Sequence, residues 1–197
     1  MGDDYNLDMR AHPPEPPHPS PEPIILTVGH SVRSLDEFVE MIRAHGVRKL
    51  IDVRTVPRSA RNPQFNRDTL PQSLREAGID YGHMPALGGL RHPRRDSTNT
   101  GWRNPSFRGY ADYMETPEFD EALEKLIAEA GEERVAIMCA EALPWRCHRS
   151  MIGDALISRG AAVEHIMSPT QRRPHKLTSF ARVEGMRVTY PGEGFLL

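Results

Sequence analysis

The residues best able to do chemistry stand in four short clusters: Gly29-His30-Ser31, Asp52-Val53-Arg54, Cys139-Ala140-Glu141 and Cys147-His148-Arg149. His30 and His148 offer imidazoles for proton transfer, which Asp52 or Glu141 would orient. Cys139 is the candidate nucleophile; its rival reading is a small buried hydrophobe at a strand end. Cys147 reads equally as packing beside a helix start. Asp52 and Arg54 flank Val53 on one strand face by the period-two rule, as a structural ion pair or as an anion clamp. Glu141 is a candidate general base or metal ligand. Arg149 stands near a helix N-terminus, where acids are favoured. An anion, or the carboxylate of Glu141 or Asp52, would explain it there. Ser31, Arg58 and Asn66 complete the ligand-binding candidates.

Cys139, Glu141, Cys147 and His148 together offer sulfur, oxygen and nitrogen donors, and His30 would add another. Zinc accepts such a set, but Cys-x7-Cys-His lacks the tight C-x2-C spacing of structural sites. No metal ligand is assigned on spacing, and a metal-binding protein stays an alternative. No cofactor is read from the sequence.

Charge sharpens the picture. The 197 residues carry a formal net charge of −2, which hides an uneven layout. Residues 54–108 hold ten Arg against four acids, residues 109–145 two basic against ten acidic residues, and residues 146–182 seven basic against two acidic ones. Only Lys49, Lys125 and Lys176 are lysines, so the positive charge is nearly all guanidinium, the group suited to bidentate phosphate or carboxylate recognition. A composition bias toward Arg is the bland rival.

The elements that must position these residues follow from patterning. Ile24 to Gly29 reads as a buried strand. Ser34 and Glu37 form a capping box that opens a helix, stopped at Gly46. Val47 to Val53 is a second strand, parallel to the first in a βαβ unit. A short helix over Asp68 to Ala77 and a strand at Ile79 to Tyr81 follow, then a long loop over 82–105. Thr116-Pro117 opens a helix running to Ala130 with Gly131 as its stop. Arg134 to Ala140 is the most apolar strand, hence central. Arg146 to Arg159 is a helix, Ala161 to Ile166 a strand, Leu177 to Arg182 a short helix, and Met186 to Tyr190 a last edge strand.

This order predicts an α/β fold: a three-layer domain over 24–197 with a mostly parallel sheet and helices on both faces, Rossmann-like or rhodanese-like in outline. Residues 1–23 hold seven of the 18 prolines and read as a disordered acidic tail. In a parallel sheet the four clusters fall at strand ends on one edge, where such folds bind ligands.

Taken in order, Thr27-Val28-Gly29-His30-Ser31, Asp52-Val53-Arg54, Pro57-Arg58-Ser59, Phe65-Asn66, Leu87-Gly88-Gly89, Cys139-Ala140-Glu141 and Cys147-His148-Arg149 resemble the domain-of-unknown-function 488 family over about residues 24–168. That resemblance implies a fold and a site, without a reaction. More locally, strand, Cys139, loop, Arg and helix is similar to the rhodanese and cysteine-phosphatase arrangement, in which a helix N-terminus lowers a thiol pKa and binds anions. Six residues between Cys139 and Arg146, where phosphatases have five, and the bulk of Pro144 and Trp145 argue against direct transfer.

The expected function is one anion-binding site for a phosphate- or nucleotide-like small molecule, with His/Cys acid–base or nucleophilic chemistry as its enzymatic form. The non-enzyme rival is nucleic-acid binding, since Arg interleaves with Phe65, Tyr81, Trp102, Phe107 and Tyr110. The near-neutral total charge speaks against it. No apolar run spans a membrane, the acidic start is no secretory signal, and two cysteines suit a reducing cytoplasm.

Overall fold

A computed structural model describes residues 23–192. The Pro-rich tail expected over 1–23 lies, apart from Pro23, outside the described residues.

Strand β1 (Ile24–Gly29) leads into helix α1 (Leu35–Ala44) and strand β2 (Lys49–Asp52). Helix α2 (Leu70–Glu76), strand β3 (Asp80–His83), and helices α3 (Pro105–Tyr113) and α4 (Pro117–Glu132) follow. Strand β4 (Val135–Cys139), helix α5 (Arg149–Ile157) and strand β5 (Ala162–Ser168) complete the α/β part. Three short strands end the described chain: β6 (Gln171–Pro174), β7 (Arg182–Glu184) and β8 (Arg187–Thr189).

Six strands form one sheet in the order β3-β2-β4-β1-β5-β6. The first five are parallel, and β6 adds antiparallel to β5. β4 and β1 are thus central, as the apolar run of β4 predicts. β1 and β2 are parallel but not neighbours, because β4 inserts between them.

Alternation along the strands builds three layers. Leu26, Val28, Leu50, Ala136 and Met138 face a core shared with Phe38, Met41 and Ile42 of α1 and Leu70 and Leu74 of α2. Ile25, Ile51, Val135, Ile137 and Cys139 face the opposite core, with Tyr110 of α3, Phe119, Leu123 and Leu126 of α4, and Met151 and Ile152 of α5. Each fully buried large apolar side chain contributes roughly 1.5–3 kcal/mol.

Local signals start the helices. The Ser34 hydroxyl accepts from the Glu37 N–H at 3.2 Å, and the Glu37 carboxylate accepts from the Ser34 N–H at 2.9 Å. Thr116 caps α4 through its hydroxyl.

The structure corrects four details. α4 runs through Gly131 to Glu132, since one exposed glycine costs only about 1 kcal/mol in a long helix. The helix expected from Arg146 begins at Arg149, because Pro144–Arg146 form a separate 3-10 turn. No helix forms over Leu177 to Arg182: buried Asp154 takes the Thr178 N–H at 3.0 Å and pins the segment as a turn. The strand at the end of the described chain pairs with β7 as a two-stranded sheet instead of edging the main one. This last segment covers α5, which explains why Arg149 to Leu156 are buried without interruption.

Candidate active site

The chain leaves β1 toward the β3 edge and leaves β4 toward the β6 edge. The crevice between the ends of these two neighbours is the topological switch point at which open α/β sheets bind ligands. Backbone bonds from His30 N–H to the Cys139 carbonyl (3.0 Å) and from Ser31 N–H to the Ala140 carbonyl (2.9 Å) lash its walls together. Ser31 holds φ +53°, a left-handed conformation uncommon outside glycine. Gly29 is dictated by closeness: a Cβ there would stand 1.9 Å from the Glu141 carbonyl oxygen.

On the α1–α2 side, Asp52 is fully buried and holds Arg54 by a two-pronged ion pair, Nε to Oδ1 at 2.9 Å and Nη2 to Oδ2 at 2.6 Å. Tyr81 donates to the same carboxylate at 3.1 Å, and burial, then Asp52, raises the tyrosine pKa. His30 stacks on Phe65 with centroids 4.3 Å apart. Its Nδ1 lies 2.9 Å from the Ser31 carbonyl, which only accepts, so Nδ1 carries the hydrogen. Nε2 is then free to accept from Arg54 Nη1 at 3.2 Å. Burial lowers the His30 pKa to about 4, with Arg54 adding to the effect and the Ser31 bond opposing it. Arg54 also donates to the Phe65 carbonyl at 2.6 Å. Four of its five guanidinium N–H groups are thereby placed, and one on Nη1 is left for a ligand.

On the α3–α5 side stand two thiols and an imidazole. The donor atoms of Cys139, Cys147 and His148 lie within 4.8 Å of one another. His148 Nδ1 is 4.0 Å from Cys139 Sγ and 3.6 Å from Cys147 Sγ. His148 Nε2 lies 3.2 Å from the Val53 carbonyl and must donate to it. A hydrogen bond from Cys139 pulls the Cys147 pKa down. The same bond, followed by burial, pushes Cys139 up. The two buried thiols thus ionise as a pair, and Cys147 stands beside Cys139 as a candidate nucleophile. Gly89 lies over the imidazole so closely that a Cβ would stand 2.5 Å from Nδ1.

Both sides open into one pocket of about 740 Å³. His30, Ser31, Arg54, Arg58, Cys139, Glu141 and His148 line it. Three other sequence candidates stand outside its lining. Asp52 acts behind Arg54, the Asn66 Oδ1 accepts from Ser59 N–H at 2.6 Å, and Arg149 is 1% exposed. Arg149 donates to the Glu141 backbone carbonyl and to Thr27 Oγ1, so neither carboxylate accounts for it. The Glu141 residue itself is exposed.

Behind Arg149 a buried chain of hydrogen bonds crosses β1 and β5. Thr27 Oγ1 is 2.7 Å from His165 Nδ1, His165 Nε2 is 3.0 Å from His175 Nδ1, and His175 Nε2 is 2.8 Å from Asp154 Oδ1. With His175 neutral, every bond points from Arg149 toward Asp154, whose other oxygen accepts from Tyr190 at 2.8 Å. Burial, His175 and Arg149 lower the His165 pKa to about 3.

Arg61, Arg146, Gly89 and Tyr110, to which the sequence assigns no site role, also line the pocket, as does Cys147, which reads there as packing or as a sulfur donor. Arg61 shares the loop of Arg58, and Arg146 and Cys147 directly precede His148, so proximity to chosen residues was the available signal. Gly89 stands in the motif Leu87-Gly88-Gly89 and Tyr110 among the aromatics interleaved with Arg, signals that point to the family and to nucleic acid rather than to this pocket.

No curated protein and no solved structure matches the chain. Residues 34–156, more than half of it, match the family described as domain of unknown function DUF488. The chain belongs to the DUF488 family.

Proposed function

We propose that the pocket binds an anionic small molecule of the phosphate or nucleotide kind and presents it to the sulfur–imidazole cluster for chemistry. The observation that carries this reading is the asymmetry of the lining: Arg54, Arg58, Arg61 and Arg146 against a single acid, Glu141. Among the described residues, Arg58, Arg61 and Arg146 form no ion pair. Exposed Val32, Val56 and Leu90 also line the pocket and offer apolar surface to the uncharged part of such a ligand. Guanidinium groups match phosphate oxygens in geometry as well as charge. Two free thiols suit a cytoplasmic setting. No helix among the described residues is long and apolar enough to cross a membrane.

The test is thermal denaturation against inorganic phosphate and nucleoside mono-, di- and triphosphates. At least one should raise the melting temperature, as a ligand that binds only the folded state must. The double variant Arg58→Gln/Arg146→Gln should fold and lose most of the rise. No rise with any of these anions, or an equal rise in the double variant, sinks the reading. A salt-sensitive gel retardation of single-stranded nucleic acid without any small-anion effect would replace it with nucleic-acid binding.

A further inference from the structure

We propose that Cys139, Cys147 and His148 bind one thiophilic divalent metal ion of the zinc type, with a fourth coordination position open to the pocket. Anion binding by the arginines does not require this ion.

The donor spacing comes first. Zinc bonds of about 2.3 Å to sulfur and about 2.0 Å to nitrogen, set at tetrahedral angles, hold neighbouring donors roughly 3.5–3.8 Å apart. The observed separations from Nδ1 are 3.6 and 4.0 Å, and all three donor atoms lie within 4.8 Å. The two sulfur–nitrogen separations lie within about half an ångström of those values, and the third pair is held within 4.8 Å.

The second observation is the tautomer. Because Nε2 donates to the Val53 carbonyl, Nδ1 carries the lone pair, and it is Nδ1 that faces the two sulfurs. A ligating histidine held through its other nitrogen by a carbonyl is the usual outer support of a metal site.

Softness selects the ion. Two sulfurs and one imidazole suit zinc and disfavour magnesium or calcium, which need oxygen donors. Glu141, a metal candidate by sequence, is not part of the cluster, and neither is His30. The ligands come from the end of β4 and the segment opening α5, which the 3-10 turn at Pro144–Arg146 folds back on each other. A tight C-x2-C repeat is therefore not needed. Loading releases the two thiol protons to solvent, and two thiolates balance the +2 charge. Three protein ligands with one open position is the pattern of a catalytic zinc. The open position would take water or a ligand oxygen.

Co2+ is the probe, added to the reduced, chelator-treated full chain. One equivalent should give sulfur-to-cobalt charge-transfer absorption and the intense visible bands of a tetrahedral site. Cys139→Ser and Cys147→Ser should each weaken binding at least about tenfold, and the double variant should show no charge-transfer band. A measurement on the unaltered protein guards against misfolded variants. One equivalent of Zn2+ should slow the reaction of both thiols with a chromogenic disulfide reagent at least about tenfold, and chelator should restore it. Absence of the charge-transfer band in the unaltered protein, its survival in the double variant, or thiols equally reactive with Zn2+ would each overturn the site. Stabilisation of the chelator-treated protein by inorganic phosphate reads the arginine pocket separately, so the two proposals fail independently.

Discussion

His148 Nε2 lies 3.2 Å from the carbonyl oxygen of Val53, so a residue at the mouth of α5 is tied to the end of β2 across the intervening strand β4. That one bond sets the imidazole tautomer, points Nδ1 at the sulfurs and closes one wall of the crevice.

Replacing His148 by Gln should keep a donor within reach of Val53, whereas Ala leaves the carbonyl unpaired. Urea denaturation should place H148A about 1–2 kcal/mol below H148Q. Equal stabilities would mean that the bond does not hold the ring in solution.

Two glycines predict opposite kinds of damage. At Gly29 the obstacle to a methyl group is the Glu141 backbone carbonyl at 1.9 Å, and backbone cannot step aside. Gly29→Ala should cost more than about 3 kcal/mol or leave the protein unfolded on expression. At Gly89 the obstacle is the His148 ring. Gly89→Ala should therefore fold at a cost of about 1–3 kcal/mol while displacing the imidazole. Circular dichroism melts, read beside the thiol reactivity of each variant, separate the two outcomes.

Acid should destabilise the fold through its buried histidines. The folded pKa of His165 is about 3, against an ordinary 6.5. Between those values the unfolded chain binds the proton and the folded chain does not, so stability is lost as pH falls. The slope from this residue is at most about 1.4 kcal/mol per pH unit. The groups facing it are His175, Arg149 and Asp154, with Cys147 farther off. Chemical denaturation from about pH 7.5 to 5 measures the slope, and His165→Gln should reduce it, leaving the share of His30, whose pKa burial lowers in the same way. An unchanged slope in that variant would assign the effect to other groups.

Asp154 is fully buried and accepts from His175, Thr178 and Tyr190. Asp154→Ala removes the acceptor and leaves the His175 Nε2, Thr178 N–H and Tyr190 hydroxyl donors without a partner. The expected loss is about 3 kcal/mol, readable as a lowered urea midpoint, with the segment around Thr178 becoming protease-sensitive. A midpoint within 0.5 kcal/mol-equivalent, roughly the scatter of a neutral surface change, would count against this role.

Much of the fold was legible because its signals are local. The Ser34–Glu37 box, Thr116-Pro117 and the apolar run into Cys139 each specify an element by neighbouring residues alone. The site was legible at strand ends because a parallel sheet aligns them. What escaped depended on distant partners. Thr178 is a turn because Asp154 claims its N–H, and Arg149 is buried against a backbone carbonyl that sequence cannot distinguish from a carboxylate. The pairing of Cys139 with Cys147 depends on how the segment between β4 and α5 folds back, through a 3-10 turn at Pro144–Arg146 that no periodicity marks.

The hydrogen-bond chain from Arg149 to Asp154 draws on Thr27, His165 and His175, all outside the matched stretch 34–156. So do β1 and β5, two of the parallel strands. The matched stretch is thus narrower than the unit this chain folds as. Cut at the limits of that stretch, the sheet would end at β4, exposing its most apolar strand as a bare edge, and such edges recruit other chains. Residues 34–156 expressed alone should elute as aggregates in size exclusion, and any excision meant to preserve the pocket has to begin no later than Pro23 and reach beyond Tyr190.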